Sequence, residues 1–282
     1  MSNKIPNLFI VGVAKAGTTV LANYLSQHPD IFMSKVKEPD FFSNREINEA
    51  KLYYKTKPLN NEGKYLSLFK QVSHEKWIGE ASVSYFFYKA CAERIKLYSP
   101  ESKIILIVRH PIDRAYSHYL MDKRLGFVKA DFEDIVKKPA SHEKHYDQYI
   151  QQGFYSQKIE EYQNQFGENL LILPWQGNLE LSLKKIFHFL NIAPIEVTEV
   201  EANKSMLPKN DFLQRIYSNG MIRKGIGKVL PVQLIQNIKS KAFVKQDVKL
   251  SDEMHENLEK IYHADIKKTQ ELVGFTLKSN FK

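Results

Sequence analysis

The chain has 282 residues, of which 43% are hydrophobic and 26% charged, and its formal net charge is +9. These proportions are typical of a globular protein and exclude a disordered or fibrous chain. Apolar runs such as Ile104–Val108 are far shorter than the roughly 20 residues of a membrane-spanning helix, and we expect no signal peptide. Cys91 is the single cysteine, which excludes an internal disulfide and a multi-cysteine metal site. We therefore expect a cytoplasmic protein.

Short apolar runs alternate with amphipathic segments along most of the chain. Unbroken apolar runs are typical of buried parallel strands, and apolar residues three or four apart are typical of helices. The predicted strands are Leu8–Val13, a segment beginning at Trp77, Lys103–Val108 and Leu170–Leu173; the predicted helices are Val20–Leu25, a segment ending at Tyr98, Asp113–Arg124, Ser182–Leu190 and a closing helix capped by Ser251 with Leu258, Ile261, Tyr262 and Ile266 as its apolar stripe. This alternation predicts an α/β fold with a parallel sheet covered on both faces, in a single domain over residues 1–282.

Nearly all of the net charge lies in one segment near the C-terminus. Residues 203–249 contain ten Lys and Arg and two acidic residues, so they contribute +8 of the +9. The amphipathic pieces Phe212–Tyr217 and Val232–Ile238 predict a basic, mostly helical segment, which suits peripheral contact with an anionic surface. The segment lacks a run of aromatic stacking residues, so we expect no nucleic acid partner.

A glycine-bounded loop joins the first predicted strand to the first predicted helix. At such a junction backbone N–H groups and the helix dipole together form an anion site. The spacing of Gly12 and Gly17 matches the nucleotide-triphosphate motif G-x-x-x-x-G-K-[ST], but Thr18 stands where that motif has lysine, and Lys15 lies inside the loop. The loop therefore predicts a phosphate site and disfavours a small-molecule kinase, which stays an alternative.

A second phosphate-binding pattern follows the third predicted strand. Arg109 comes directly after that strand, and Ser117 lies eight residues further on in the next helix. Ligands of parallel α/β sheets gather outside the carboxyl ends of the strands, and a guanidinium can bind phosphate through two hydrogen bonds. A loop for one phosphate and an Arg–Ser pair for another predict a ligand with two separated phosphates.

At these residues the chain resembles the sulfotransferases that use 3′-phosphoadenylyl sulfate (PAPS). Lys15–Thr19 resembles their 5′-phosphosulfate loop, and Ile105–Ser117 resembles their 3′-phosphate segment. The similarity covers most of the chain and points to the bacterial branch related to heparan sulfate sulfotransferases, with weaker matches at His28–Ile31, Lys37–Phe42, Gly79–Glu80 with Tyr85, and Tyr262–Ile266. It implies a P-loop-kinase-like three-layer α/β/α fold, PAPS as the sulfuryl donor, 3′,5′-bisphosphoadenosine (PAP) as product, and no metal requirement. The donor-binding residues it implies are Lys15, Ala16, Gly17, Thr18, Thr19, Arg109 and Ser117.

The resemblance also suggests the catalytic groups. Lys15 is suited to stabilising the charge that grows on the leaving oxygen. Glu38 matches the glutamate that heparan-type enzymes use as base, with an ion pair to a nearby lysine or the capping of a helix as the alternative roles. Cytosolic sulfotransferases use a histidine instead, for which His110 is the nearest candidate. Glu80, at the end of the second predicted strand, is expected to be a buried hydrogen-bonding carboxylate that supports the site.

The sequence leaves parts of the ligand sites open. Trp175, after the fourth predicted strand, is either an adenine platform or a core residue. The candidates for completing the 3′-phosphate site are Arg223, Lys224, Lys245 and Lys249. The expected acceptor is a hydroxyl or amine of a carbohydrate or glycolipid, with a small secondary metabolite or a tyrosine side chain as alternatives. No particular oligomeric state is predicted.

Overall fold

In the computed structural model of the chain, the described residues are 4–54, 57–176, 179–198, 207–208, 243–244 and 250–279. They group into two compact units. The first falls within Met1–Pro111, Phe154–Ala202 and Tyr262–Ser279, and the second within Ile112–Gly153, Asn203–Ile261 and Asn280–Lys282. The single domain expected over residues 1–282 stays a prediction.

A parallel sheet of five strands forms the centre of the first unit. Its strands are β1 (Leu8–Gly12), β2 (Ile31–Met33), β3 (Trp77–Ala81), β4 (Lys103–Val108) and β5 (Leu170–Pro174), in the spatial order β2-β3-β1-β4-β5. Every residue of β1 and β3 is buried, which explains apolar runs without alternation. The predicted parallel sheet is confirmed, whereas β2 was missed because three residues are too few to show a period.

Helices cover both faces of this sheet. The helices of the described residues are α1 (Thr18–Leu25), α2 (Asn44–Ala50), α3 (Glu62–Ser67), α4 (Ser84–Phe87), α5 (Ala90–Tyr98), α6 (Pro111–Leu125), α7 (Phe132–Lys137), α8 (Glu143–Tyr149), α9 (Ser156–Phe166), α10 (Glu180–Phe189) and α11 (Asp252–Val273). Right-handed crossovers put α1, which leads from β1 across β3, and α5, which leads from β3 across β1, on opposite faces. The α/β/α layers expected from the resemblance are thus present in the first unit.

Two helix starts show how local chemistry sets the boundaries. Helix α6 begins at Pro111, two residues before the predicted start, because proline has no N–H to leave unsatisfied in the first turn. Helix α11 begins after Ser251, whose Oγ accepts a 3.3 Å hydrogen bond from the backbone N–H of Met254. The predicted cap at Ser251 is therefore confirmed.

The closing helix α11 packs against α9 in the first unit. Its Asp265 carboxylate accepts hydrogen bonds from the backbone N–H groups of Tyr155 and Ser156, at 2.8 and 3.1 Å. Tyr262 is fully buried, and Leu272 packs against the core of the sheet. The predicted packing of this helix onto the α/β core is confirmed.

The basic segment lies mostly outside the described residues. That applies to the predicted pieces Phe212–Tyr217 and Val232–Ile238, and to Arg223, Lys224, Lys245 and Lys249. Two short described strands occur within it, β6 (Leu207–Pro208) and β7 (Phe243–Val244), and they pair in antiparallel fashion. Across the ranges that the structure describes, no helix has both the length and the apolar character that crossing a bilayer requires.

Candidate active site

The glycine-bounded loop leaves the carboxyl end of β1 and turns directly into α1. Gly17 is the N-cap of α1 and has a left-handed backbone, with φ 79°, and Lys15 is also left-handed, with φ 70°. The N–H groups of the first turn of a helix have no intrahelical acceptor, and Gly17 has no side chain that could accept from them. Those N–H groups and the positive end of the helix dipole are free to face an anion. The loop predicted to bind phosphate thus has the backbone geometry for it.

Arg109, at the carboxyl end of the neighbouring strand β4, contacts this loop. Its Nη1 donates a 2.8 Å hydrogen bond to the carbonyl oxygen of Lys15. The loop is also tied to β4 by the backbone N–H of Val13, which donates to the carbonyl of Ile107 at 2.8 Å. The structure therefore brings Arg109 to the phosphate loop, whereas the binding of two phosphates by these residues stays a prediction.

Trp175 covers the glycine of the loop. Its backbone N–H donates to the carbonyl of Val108 at 2.8 Å, which holds the residue at the carboxyl end of the sheet. A Cβ built at Gly17 would overlap Cζ3 of the Trp175 ring, so glycine is needed there for space as well as for its left-handed backbone. Trp175 is half-buried and is thus a wall of the phosphate loop. The sequence did not indicate this contact.

Glu38 lies in a loop held at the carboxyl end of β3, the strand on the other side of β1. Its backbone N–H donates to the carbonyl of Ala81 at 3.0 Å, and its φ is 55°. Its carboxylate is 41% exposed and forms a 2.6 Å ion pair with Lys37. The exposed carboxylate fits the role of base, and of the alternative roles considered from the sequence, the ion pair with a nearby lysine is present, with Lys37.

Two buried carboxyl groups lie close to Glu38 in the fold: Glu80 at the end of β3, and Asp40 in the Glu38 loop itself. Glu80 accepts hydrogen bonds from the hydroxyls of Tyr65, Ser82 and Tyr85, at 2.8, 2.7 and 2.6 Å. Burial raises the pKa of Glu80, against the effect of these donors. Burial likewise raises the pKa of Asp40 from 3.8 to about 7, although a hydrogen bond from Ser84 opposes this. Glu80 is thus the buried, hydrogen-bonded carboxylate that the sequence predicted, whereas Asp40 was missed.

Ser117 lies on α6, in the second unit. It is half-buried, and its neighbours Tyr116 and His118 are buried. Within that unit α6 is fastened to the end of α8, because the buried guanidinium of Arg114 donates to the carbonyls of Gln148 and Tyr149. The helix that carries Ser117 is therefore tied to α8, and the place of Ser117 beside Arg109 at a common phosphate stays a prediction.

Two further side chains that could take part in chemistry, His110 and Cys91, are buried. His110, the alternative base, is only 5% exposed. Cys91 is buried, and burial raises the pKa of its thiol to about 12, so its reactive thiolate is suppressed. Among the residues that the structure describes, no three His, Cys, Asp or Glu side chains cluster as metal ligands would.

Comparison with known proteins identifies the class to which this fold and loop belong. The model of the sulfotransferase family matches residues 6–155, which include the phosphate loop, Glu38, Arg109 and Ser117. The chain therefore belongs to the sulfotransferase family.

Particular relatives agree with this assignment. A crystal structure of a sulfotransferase from Alicyclobacillus acidocaldarius is 25% identical and superposes with a TM-score of 0.68, over 96% of this chain and 97% of that one. A human heparan sulfate glucosamine 3-O-sulfotransferase 6 is 34% identical over 116 residues, which is 41% of this chain and 30% of that protein. Carbohydrate sulfotransferase 15 of Mus musculus is 25% identical over 249 residues, which is 68% of this chain and 44% of that protein. The chain thus spans less than half the length of these two curated relatives.

A more distant solved structure shares the fold. A mouse sulfotransferase crystallised with PAP is 16% identical and superposes with a TM-score of 0.51, over 96% of this chain and 89% of that one. The P-loop-kinase-like α/β fold expected from the sequence is confirmed by these neighbours.

Proposed function

We propose that this chain transfers the sulfuryl group of PAPS to a hydroxyl or amine of an acceptor, and that the acceptor is a carbohydrate or glycolipid. The observation that carries the proposal is the arrangement of three adjacent strands. The phosphate loop extends from β1 and Arg109 from β4, and the Glu38 loop, which follows β2, is hydrogen-bonded to the end of β3. The strands β3, β1 and β4 are neighbours in the sheet, and their carboxyl ends form the edge where parallel α/β sheets bind ligands.

The phosphate loop and Arg109 together fit a donor with two anionic ends. The first-turn N–H groups of α1 and the hydroxyls of Thr18 and Thr19 suit the 5′-phosphosulfate. The guanidinium of Arg109 suits the 3′-phosphate, to which the sequence pattern also assigns Ser117. When bound, PAPS supplies a sulfuryl group whose S–O bond to PAP breaks as the acceptor oxygen or nitrogen bonds to sulfur. The two phosphate-binding patterns of the sequence therefore correspond to the two anionic ends of one donor.

Two residues of this chain assist that exchange. The ammonium of Lys15 stabilises the negative charge that grows on the oxygen leaving with PAP, an effect that is large in sites shielded from water. The carboxylate of Glu38 takes the proton that the acceptor loses as it attacks. The acceptor must then lie on the side of the phosphate loop that faces β3, since Glu38 is held at the end of that strand.

The carbohydrate acceptor is proposed from the relatives. Both curated relatives are named as sulfotransferases of carbohydrate chains. A small secondary metabolite and a tyrosine side chain stay the alternatives, and the cytoplasmic location expected from the sequence stays a prediction.

Mass spectrometry of acceptors tests the proposal. The purified chain is incubated with PAPS and a desulfated heparan oligosaccharide, a glycolipid, a simple phenol or a tyrosine peptide. We expect the mass gain of one SO₃ group on the oligosaccharide or glycolipid, and none with the Lys15→Ala variant. Gain on the phenol or peptide alone would replace the proposed acceptor class.

A thermal shift assay tests the donor without any acceptor. We expect PAP to raise the melting temperature, because a ligand that binds only the folded state stabilises it. Mg-ATP serves as the comparison, and stabilisation by Mg-ATP but not by PAP would support the kinase alternative instead.

A further inference from the structure

The backbone around Glu38 is hydrogen-bonded to the end of a strand and to a neighbouring loop. The N–H of Glu38 donates to Ala81 at the end of β3, and the carbonyl of Pro39 accepts a 2.8 Å hydrogen bond from the N–H of Leu59. Glu38 nevertheless has a left-handed backbone, which costs free energy for a residue with a side chain. Such a conformation persists only where surrounding contacts hold it.

Asp40, two residues after Glu38, holds the loop through hydrogen bonds of its backbone and its side chain. Its N–H donates to the hydroxyl of Ser82 at 3.2 Å, and its Oδ1 accepts a 2.6 Å hydrogen bond from the hydroxyl of Ser84. Its carbonyl oxygen accepts from both the N–H and the hydroxyl of Ser43, each at 3.3 Å. Asp40 is only 6% exposed, and its own backbone is left-handed, with φ 52°.

The serines that hold Asp40 are themselves anchored in the core. Ser82 donates to Glu80 at 2.7 Å, and the N–H of Ser82 donates to the carbonyl of Ile10 in β1. The hydroxyl of Ser84 also meets the hydroxyl of Ser43, at 2.7 Å. A buried and satisfied hydrogen-bond network of this kind fixes the positions of its members. Asp40 thus joins the loop that carries Glu38 to the strand beside the phosphate loop.

We propose that Asp40 is a positioning residue, which holds Glu38 at the acceptor through its hydrogen bonds with Ser82 and Ser84. The inference rests on the proposed function, in which Glu38 receives the proton of the acceptor. Without the Ser84 contact, the loop relaxes toward ordinary backbone conformations and the Glu38 carboxylate moves. A displacement of about 1 Å at a catalytic group can lower a rate by about 10²-fold.

Two substitutions separate the hydrogen bond from the rest of the side chain. Asp40→Ala removes the acceptor of the Ser84 hydroxyl, whereas Asp40→Asn keeps an oxygen at that place. Ser84→Ala removes the donor, and Ser67→Ala is its control, because Ser67 is exposed and donates only to the carbonyl of Lys64 in its own helix.

Hydrogen exchange followed by mass spectrometry reports the loop without needing an acceptor. We expect the peptide that contains Glu38 to exchange at least about tenfold faster in Asp40→Ala and Ser84→Ala than in the parent, because local opening controls exchange. Asp40→Asn and Ser67→Ala should exchange as the parent does. Ser84→Ala removes the hydroxyl that donates to Asp40 and contacts Ser43, and it removes no buried charge. Parental exchange in this variant overturns the inference even if Asp40→Ala fails to fold.

Kinetics on the acceptor that gains SO₃ report the consequence. We expect kcat to fall by about 10-fold to 10²-fold in Asp40→Ala, with the KM for PAPS unchanged and the rate largely restored in Asp40→Asn. An unchanged kcat, or an Asn variant as slow as the Ala variant, overturns the positioning role. A parent chain that transfers no sulfuryl group to any acceptor refutes the proposed function and with it the role in catalysis, while the exchange result still decides whether Asp40 holds the loop.

Discussion

The guanidinium of Arg109 donates a hydrogen bond to the carbonyl oxygen of Lys15, with 2.8 Å between the two atoms. A residue proposed to bind the 3′-phosphate therefore also supports the loop proposed to bind the 5′-phosphosulfate. One side chain thus links both halves of the proposed donor site. Its removal is expected to weaken the binding of the 3′-phosphate and to loosen the phosphate loop.

Arg109→Ala is expected to weaken the binding of PAP by roughly 10- to 100-fold, because hydrogen bonds to charged groups contribute about 1.5–3 kcal/mol. It should also reduce the preference for PAPS over adenylyl sulfate, which lacks the 3′-phosphate. Isothermal titration of both ligands measures this. Arg45→Ala is the control, since Arg45 is largely exposed and its ion pair is with Glu49 in the same helix. Unchanged discrimination between the two ligands would place the 3′-phosphate elsewhere.

Local pattern was enough to predict the phosphate loop and Arg109, because each follows a buried apolar strand whose end is visible in the sequence. The contact of Asp40 with Ser84 joins residues 44 positions apart and arises from the order of strands in the sheet, which no local pattern encodes. The same holds for Trp175 over Gly17. Strand β2 and helices α2, α3, α4, α7 and α8 were missed because they are too short for a clear period. Helix α9 was missed although it has 11 residues and its buried Ile159, Tyr162 and Phe166 recur at helical spacing.

Lys15→Ala is expected to abolish most transfer while weakening PAP binding far less. The ammonium stabilises charge that develops only as the leaving oxygen departs, and such groups account for about 3–4 kcal/mol in rate. Single-turnover rates and PAP affinity are measured on the same preparation. Lys70→Ala, at an exposed lysine outside the site, is the control, and near-parental turnover in Lys15→Ala would contradict the assignment.

Gly17→Ala is expected to disrupt the phosphate loop through both strain and overlap. Gly274 is the matched control, because it also has a left-handed backbone, with φ 72°, but has no atom within 4 Å of an added Cβ. Gly274→Ala should therefore cost only the backbone strain, about 1–2 kcal/mol. Gly17→Ala should cost more and also weaken PAP binding, as thermal melts with and without PAP would show. Equal losses in the two variants would mean that Trp175 does not press on the loop.

Asp40→Asn is expected to gain stability over the parent as the pH rises. Because burial raises the pKa of Asp40 from 3.8 to about 7, the folded state binds its proton more tightly than the unfolded state. The parent therefore loses stability between about pH 4 and pH 7, and the Asn variant is spared that loss. The charged and titratable groups that face Asp40 are Glu38, Glu80, Lys37, Tyr88 and Cys91.

Urea unfolding at about pH 5 and about pH 8.5 measures the change, since all groups other than Asp40 are common to both proteins. The free energy of unfolding of Asp40→Asn, relative to that of the parent, should be higher at about pH 8.5 than at about pH 5 by roughly 1–3 kcal/mol, because one pKa unit corresponds to about 1.4 kcal/mol. A difference that does not vary with pH would show that Asp40 is ionised in the folded protein throughout this range.

Glu38→Gln is expected to remove turnover and leave folding and PAP affinity intact. The amide keeps the size of the side chain but takes no proton from the acceptor, so turnover should fall by about 10²-fold or more and the acidic limb of the pH–rate profile should vanish. The ion pair with Lys37 is exposed, and such pairs contribute at most about 1 kcal/mol, so its loss changes the melting temperature little.

Lys37→Met is the matched control, since it removes the same ion pair and keeps the carboxylate, and it should retain turnover. Melting temperature and turnover measured together decide the role of Glu38. A Glu38→Gln variant that is destabilised but active would make Glu38 a structural partner of Lys37 and transfer the role of base to another group, with His110 the next residue to replace.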